Sequence, residues 1–298
     1  MRLAVEAFAK VNLSLVVLGR RDDGFHELDT LFQTIDLSDR LVLSEAEGLT
    51  LEVDDPAVPA DGTNLVLRAA EALRGETRVA RGAAITLRKG IPAGGGLGGG
   101  SSDAAAALVG LRALWGLDVP LATLERIGAA LGSDVPFFLH GGTARGTGRG
   151  ERIEPLPDAP ARGVVLLLPP FGVSTPEVFR RLGAPRLTAS GAVSNLSNPG
   201  PERFPDRNDL EPAAEAQAPE LKRLRMLLQD AGALRARLSG SGSTVFGLFP
   251  DVETARAAAD RIGSAGPGAR VRVAATLGRD EFRARTAPRG AEPGEGRS

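Results

Sequence analysis

The chain has 298 residues, a formal net charge of -1 and no cysteine, with 42% hydrophobic and 24% charged residues. Such a composition suits a globular protein with material for one large core or two ordinary ones. It excludes a disulfide framework, a thiol nucleophile and cysteine-ligated metal. The balanced charge argues against a nucleic-acid partner, no apolar run reaches the roughly 20 residues of a membrane span, and the missing cysteines suit a reducing cytoplasm.

In chain order, residues 2–18 alternate between apolar and other residues and end at Gly19-Arg-Arg-Asp-Asp-Gly24, which predicts a strand and a turn. Glu6 and Lys10 interrupt the apolar run, so a strand is expected there and not a signal peptide. Leu41–Leu43 and Leu49–Val53 predict two short strands. Asn64 to Leu73 has helical spacing, with Asn64 as N-cap. Ala84–Arg88 predicts a strand leading into a glycine-rich loop, and residues 102–115 a helix with Ser and Asp supplying capping oxygens. Leu121–Leu131 reads as a helix stopped by Gly132. Val164–Leu168 is a continuous apolar run, expected as a strand buried on both faces. Beyond it come a helix over 211–231 with a break at Pro219, a strand over Ser243–Phe249, a helix over 251–263 and a strand over Arg270–Leu277. The order predicts an α+β sandwich. Residues 188–207 read as a long mobile loop, and the polar stretch from Arg283 as a disordered tail. Domains are expected over 1–158 and 159–282, followed by a tail over 283–298.

Six of the seven residues from Gly94 to Gly100 are glycine, placed between a strand and an alanine-rich helix. Glycines let backbone N–H groups approach a ligand without Cβ obstruction, and the helix adds its unpaired N–H groups and positive dipole end. Together they suit a phosphate chain, with the hydroxyls of Ser101 and Ser102 available to phosphate or a magnesium ion. A Walker A loop fails because Ser101, not lysine, follows Gly100. Gly94, Gly96 and Gly99 match a dinucleotide fingerprint with Asp118 further on, but so glycine-dense a segment matches by accident, and Asp118 lies in a turn. A flexible hinge fits poorly with a loop joined tightly to a helix.

Pro92 to Ala105 resembles the signature of the galactokinase, homoserine kinase, mevalonate kinase and phosphomevalonate kinase superfamily, which binds ATP on a glycine-serine loop. Ala9-Lys-Val-Asn-Leu-Ser-Leu15, Arg21-Asp-Asp-Gly-Phe-His-Glu-Leu28, Leu131-Gly-Ser-Asp-Val-Pro-Phe137 and Leu238-Ser-Gly-Ser-Gly-Ser-Thr-Val-Phe246 are similar, in order, to its members acting on a cytidyl-diphosphate sugar alcohol. The resemblance spans residues 3–277. It implies a two-domain fold, ribosomal-S5-like at the N-terminus and ferredoxin-like at the C-terminus. It also implies transfer of the ATP γ-phosphate, with Mg2+, to a hydroxyl of a methylerythritol moiety on the non-mevalonate route to isoprenoid precursors. Monomer and homodimer stay open.

The resemblance further implies roles for particular residues. Asp134 would be the base, although aspartate is also a common turn residue after a helix. Lys10 would pair with Asp134; in an apolar strand it is either an edge residue or a partly buried cation. Asn12, two residues on, projects from the same face and would bind substrate, unless it is a plain surface amide. His26 would read the cytosine edge and Phe25 would stack on the base. Relatives commonly carry tyrosine at that position, and phenylalanine keeps the stacking surface without the hydroxyl. Thr175 and Phe179 would also meet the substrate, Phe179 being equally readable as a core residue of a helix. Pro92, Ala93, Gly94, Gly95, Gly96, Leu97, Gly98, Gly99, Gly100, Ser101 and Ser102 would hold the triphosphate, with Ser102 a candidate for the metal. Asn64 and Lys89 would lie near the nucleotide, though Asn64 also serves as a cap and Lys89 as an exposed strand-end charge. The Ser239–Ser243 glycine turn would shape the cleft. The second histidine, His140, is expected in a loop. Rival readings are another small-molecule kinase of the superfamily, a dinucleotide-binding oxidoreductase and a non-catalytic nucleotide-binding module.

Overall fold

A long antiparallel hairpin organises the chain. In the computed structural model, which describes residues 1–187, 204–264, 266 and 268–291, strands β1 (Arg2–Arg20) and β2 (His26–Ala46) pair along their whole length. The turn between them is locked by Arg21, whose backbone N–H donates to Phe25 O and whose guanidinium pairs with Asp23 and Glu27. The next elements are β3 (Leu49–Val53), α1 (Leu65–Thr77), β4 (Gly82–Arg88), α2 (Gly99–Leu114), α3 (Leu121–Leu131), the short α4 (Phe137–His140), β5 (Thr143–Gly148) and β6 (Arg152–Pro155). The second half of β2 carries β4 and its first half carries β5, while β3 lies parallel to β4. Helices α1, α2 and α3 cover one face of this sheet, burying Val5, Leu41, Leu43 and Ile85 against Leu73, Leu108 and Leu124.

The second unit comprises β7 (Gly163–Leu168), α5 (Thr175–Leu182), α6 (Glu211–Gln217), α7 (Glu220–Asp230), β8 (Arg235–Leu238), β9 (Val245–Phe249), α8 (Val252–Ser264) and β10 (Arg270–Ala275). Its sheet runs β10-β7-β9-β8, antiparallel throughout. That is the fourth, first, third and second strand of a β-α-β-β-α-β chain, the ferredoxin-like order. Val164, Leu166, Phe246 and Leu248 from this sheet pack on Ala9, Val11, Leu31 and Ile35 of the hairpin, so one apolar layer joins the two units.

Several expectations need correction. The polar stretch from Arg283 is ordered as far as residue 291. Helix α9 (Arg279–Thr286) inserts Phe282 against Phe8 and Leu277, and β11 (Arg289–Gly290) pairs with β1. A single aromatic anchors this helix, so its sequence shows no apolar period; the rest of the expected tail, 292–298, lies outside the described residues, as does 188–203 of the expected loop. Strand β2 extends well before Leu41. Its polar residues concealed it, because Asp29, Thr30 and Gln33 are buried and satisfied by Arg145, Asn12 and Thr143. Helix α2 begins at Gly99, and Gly98 caps it without a side-chain bond; the expected capping by Ser and Asp fails because the Ser102 hydroxyl donates instead to Phe8 O at 2.7 Å. His140 ends α4 and pairs with Glu125 at 2.5 Å, so it is not a loop residue.

Phe282 is 3% exposed. Phe282→Ala is expected to lower unfolding free energy by roughly 3 kcal/mol, as for other buried aromatics, read as a shift of the urea midpoint. An unchanged midpoint would mean that α9 does not dock on β1.

Candidate active site

A register shift between Phe8 and Ala9 sets the chemistry of β1. Before it, Leu3, Val5 and Ala7 face the helices; after it, Ala9, Val11 and Leu13 face the second sheet. The shift places two extra residues, Asp36 and Leu37, in β2, and across it β1 exchanges its faces, so Lys10 and Asn12 point to the helix side, where the glycine loop lies. Lys10 is 3% exposed. Its ammonium donates to Asn12 Oδ1 at 2.6 Å and Gly96 O at 2.9 Å, and stands 3.4 Å from Asp134 Oδ2. Asn12 in turn donates to Thr30 Oγ1 at 2.8 Å, and Thr30 to Ser14 O. Both polar ends of Asn12 are therefore engaged within the protein, and it orients Lys10.

The glycine loop turns its carbonyls inward. Gly95 O accepts from Thr244 N, Gly96 O from Lys10 and Ser239 Oγ, and Leu97 O from the backbone N–H of Lys10. Gly96 has φ 76°, and a Cβ there would collide with Ser239 O and stand 2.9 Å from Gly242 O. Glycine is thus required where the loop meets the Ser239–Ser243 turn. Residues 92–101 line one wall of a cleft of about 910 Å3. Helix α2 aims its N-terminus at this wall without a side-chain cap, leaving its first amides to a ligand. Ser101 lines the cleft, and its hydroxyl has no hydrogen-bond partner among the described residues.

Asp134 sits in the turn between α3 and α4, one residue before buried Val135, and partly open to the cleft. The far end of the same cleft is aromatic. His26 stacks on Phe179 with centroids 4.6 Å apart and planes 23° apart, and Phe25 is 51% exposed beneath the Arg149 guanidinium. Thr175 Oγ1 and Ser241 Oγ lie 2.6 Å apart beside them. Burial first, then repulsion by Arg20, holds the His26 imidazole below its ordinary pKa, so at neutral pH it offers one donor and one acceptor.

Residues 64–142 match the GHMP kinases N terminal domain and residues 193–268 the GHMP kinases C terminal domain. A 4-diphosphocytidyl-2-C-methyl-D-erythritol kinase of Pelotomaculum thermopropionicum is 45% identical over 88% of this chain and 94% of its own. The chain belongs to the GHMP kinase family. Another protein of that name, from Rhodococcus jostii, is 44% identical over 91% of this chain and 92% of its own. A crystal structure of 4-(cytidine 5'-diphospho)-2C-methyl-D-erythritol kinase superposes with TM-score 0.75 at 38% identity, covering 92% of this chain and 99% of that one. Homoserine kinase from Cytophaga hutchinsonii shares the fold, with TM-score 0.69 at 20% identity and 96% of each chain covered. The two-domain expectation is borne out. The dinucleotide fingerprint, set aside on the sequence, finds no support in the fold: the strand that follows α2, β5, pairs antiparallel with β2 and not with β4, so the glycine loop does not open a parallel β-α-β unit.

In this GHMP kinase the cleft gathers Lys10, Asn12, Phe25, His26, Asp134, Thr175, Phe179 and residues 92–101. Three expected residues lie elsewhere. Asn64 caps α1, accepting from Val66 N and donating to Pro59 O. Ser102 is buried and bonded to Phe8, which withdraws it as a metal ligand in this arrangement. Lys89 is not an exposed charge and does not line the cleft; its ammonium is buried between Asp39 and Asp103 behind the loop. Asp39 also accepts from the N–H groups of Gly90 and Ile91, so the cluster ties the loop's entry to the second turn of α2. Cleft residues that the motifs did not reveal include Thr30 and Arg149, whereas Ser241 lies in the Ser239–Ser243 turn expected to shape the cleft. Thr30 has a signal in hindsight, as a strand residue facing Asn12. Nothing in the local spacing marks Arg149.

The family's loop geometry gives two tests. Gly96→Ala is expected to raise the KM for ATP about ten-fold or more by pushing the loop off Ser239; an unchanged KM in steady-state assays would contradict this contact. Burial, then the neighbouring Asp39, pushes the Asp103 carboxyl up to about 8 against the pull of Lys89. A carboxyl raised in the folded state stabilises the fold below its unfolded pKa and loses that contribution as pH rises through the folded value. The melting temperature of Asp103→Asn should therefore gain on the wild type as pH rises from about 4 to about 8. A mutant that keeps a constant difference from the wild type, or falls further behind it, over this range would show that Asp103 is ionised throughout.

Proposed function

We propose that this chain transfers the γ-phosphate of ATP to a hydroxyl of 4-diphosphocytidyl-2-C-methyl-D-erythritol, a cytoplasmic step of the non-mevalonate route to isoprenoid precursors. One observation carries the reading: the Lys10–Asp134 pair stands in a single cleft between a glycine wall suited to a triphosphate and an aromatic end suited to a base. Phosphoryl transfer depends on positioning and charge stabilisation more than on covalent help. With its carbonyls bonded inward, the loop presents its amides to the phosphates, and α2 adds its dipole. Asp134 accepts the hydroxyl proton as the acceptor oxygen attacks. The Lys10 ammonium stabilises charge growing on that oxygen. At the far end Phe25 and Phe179 flank the cytosine, and neutral His26 meets its donor–acceptor edge.

The hydroxyl of Ser101, unpartnered and facing the cleft, is the protein group fitted to Mg2+, most of whose ligands would be phosphate oxygens and water. A Mg2+ held there would supply charge neutralisation at the phosphates. We assign residues 1–158 to the nucleotide domain and 159–282 to the domain closing the cleft. A homoserine or mevalonate kinase activity fits less well, since those substrates carry no base to stack.

Coupled ADP-release assays test this. Turnover is expected with the cytidyl-diphosphate acceptor and not with homoserine or mevalonate; no turnover on the first overturns the reading. Asp134→Asn should cut kcat roughly 100-fold or more while ATP still binds, and near-normal kcat would remove Asp134 from the mechanism.

A further inference from the structure

Resting on that acceptor, we propose that Arg149 binds its diphosphate. The acceptor has to reach from the aromatic end, where its base lies, to Asp134, where its hydroxyl reacts; its two phosphates lie between. Four basic side chains line the cleft: Lys10, Arg20, Arg149 and Arg180. Lys10 is committed to Asn12, Gly96 and Asp134. Arg180 is gripped by Glu177, with two hydrogen bonds of 2.6 Å. Arg20 stands opposite His26 in the hairpin register, at the base end and away from the reacting carboxylate. Arg149 spans the middle. Its Cζ stands 4.8 Å from the Phe25 ring centroid, and its neighbour Gly150 is so close to the reacting end that a Cβ there would be 4.0 Å from Asp134 Oδ1.

The guanidinium has capacity for an anion. Its polar partners among the described residues are Ala129 O at 3.2 Å and Glu151 Oε1 at 3.8 Å, and the other Glu151 oxygen accepts from the backbone N–H of Arg149. A guanidinium offers five donors in a fixed fork, so most remain for phosphate oxygens in a bidentate geometry. Its position over the Phe25 ring restrains the fork in advance, which lowers the ordering cost of binding. The same side chain thereby links the base subsite to the phosphates.

Calorimetric titration with cytidine and with CDP, on full-length protein saturated with a non-hydrolysable ATP analogue, separates the possibilities. Wild type is expected to bind CDP more tightly than cytidine. Arg149→Met should weaken CDP about ten-fold or more, the size of a lost charge-assisted contact, and cytidine much less; Arg149→Lys should recover part of the CDP affinity. If Arg149→Met weakens both ligands equally, Arg149 only braces Phe25 and the proposal falls. If the wild type binds neither ligand, the acceptor reading falls, and this one with it.

Discussion

The buried ammonium of Lys10 is the constraint on which the cleft depends. Removing a charge from water is costly unless it is paired and hydrogen-bonded. Lys10 meets that cost with three oxygens from three separate segments: Asn12 in its own strand, Gly96 in the loop and Asp134 in the turn after α3. One cation therefore fixes the distance between the glycine loop and the Asp134 carboxylate. Loss of any one partner would leave an under-satisfied charge, so these motifs hold together as a unit although more than a hundred residues of chain lie between Lys10 and Asp134.

The second unit completes the same arrangement from the other side. Ser239 Oγ shares the Gly96 carbonyl with Lys10, and Thr244 N takes the carbonyl of Gly95. The inward turn of the loop thus draws on both units, and the apolar layer between β1 and β7 keeps them in register. Lys89, Asp39 and Asp103 hold the loop from behind. Its glycines are accordingly not a mobile hinge: a segment rich in conformational freedom is bonded on one side so that the other can meet a ligand.

Apolar patterning made β1, α1, α3, β7 and β9 legible, because each buries a regular face. It did not reveal the first half of β2, where Asp29, Thr30 and Gln33 occupy buried positions and find partners on strands far away in sequence. No local rule anticipates such pairing. The site divides the same way. Lys10, Asp134, Phe25, His26, Thr175 and Phe179 are found together as the family motifs imply. Lys89 and Ser102 fall outside the cleft because whether a polar side chain meets the ligand or the protein turns on tertiary partners, Asp39 and Asp103 for one and the Phe8 carbonyl for the other.

Charge changes along the cleft in a way that matches the proposed acceptor. At the reacting end a cation and a carboxylate stand in contact, shielded from water on the lysine side. At the other end the surface is aromatic, and His26 is kept neutral by burial and by Arg20. A neutral imidazole suits an uncharged base better than an imidazolium would, since it can accept as well as donate. An acceptor with a flat neutral head, an anionic middle and an alcohol tail follows that sequence of environments, whereas a small hydroxy acid would engage only the charged end and leave Phe25, His26 and Phe179 in contact with water.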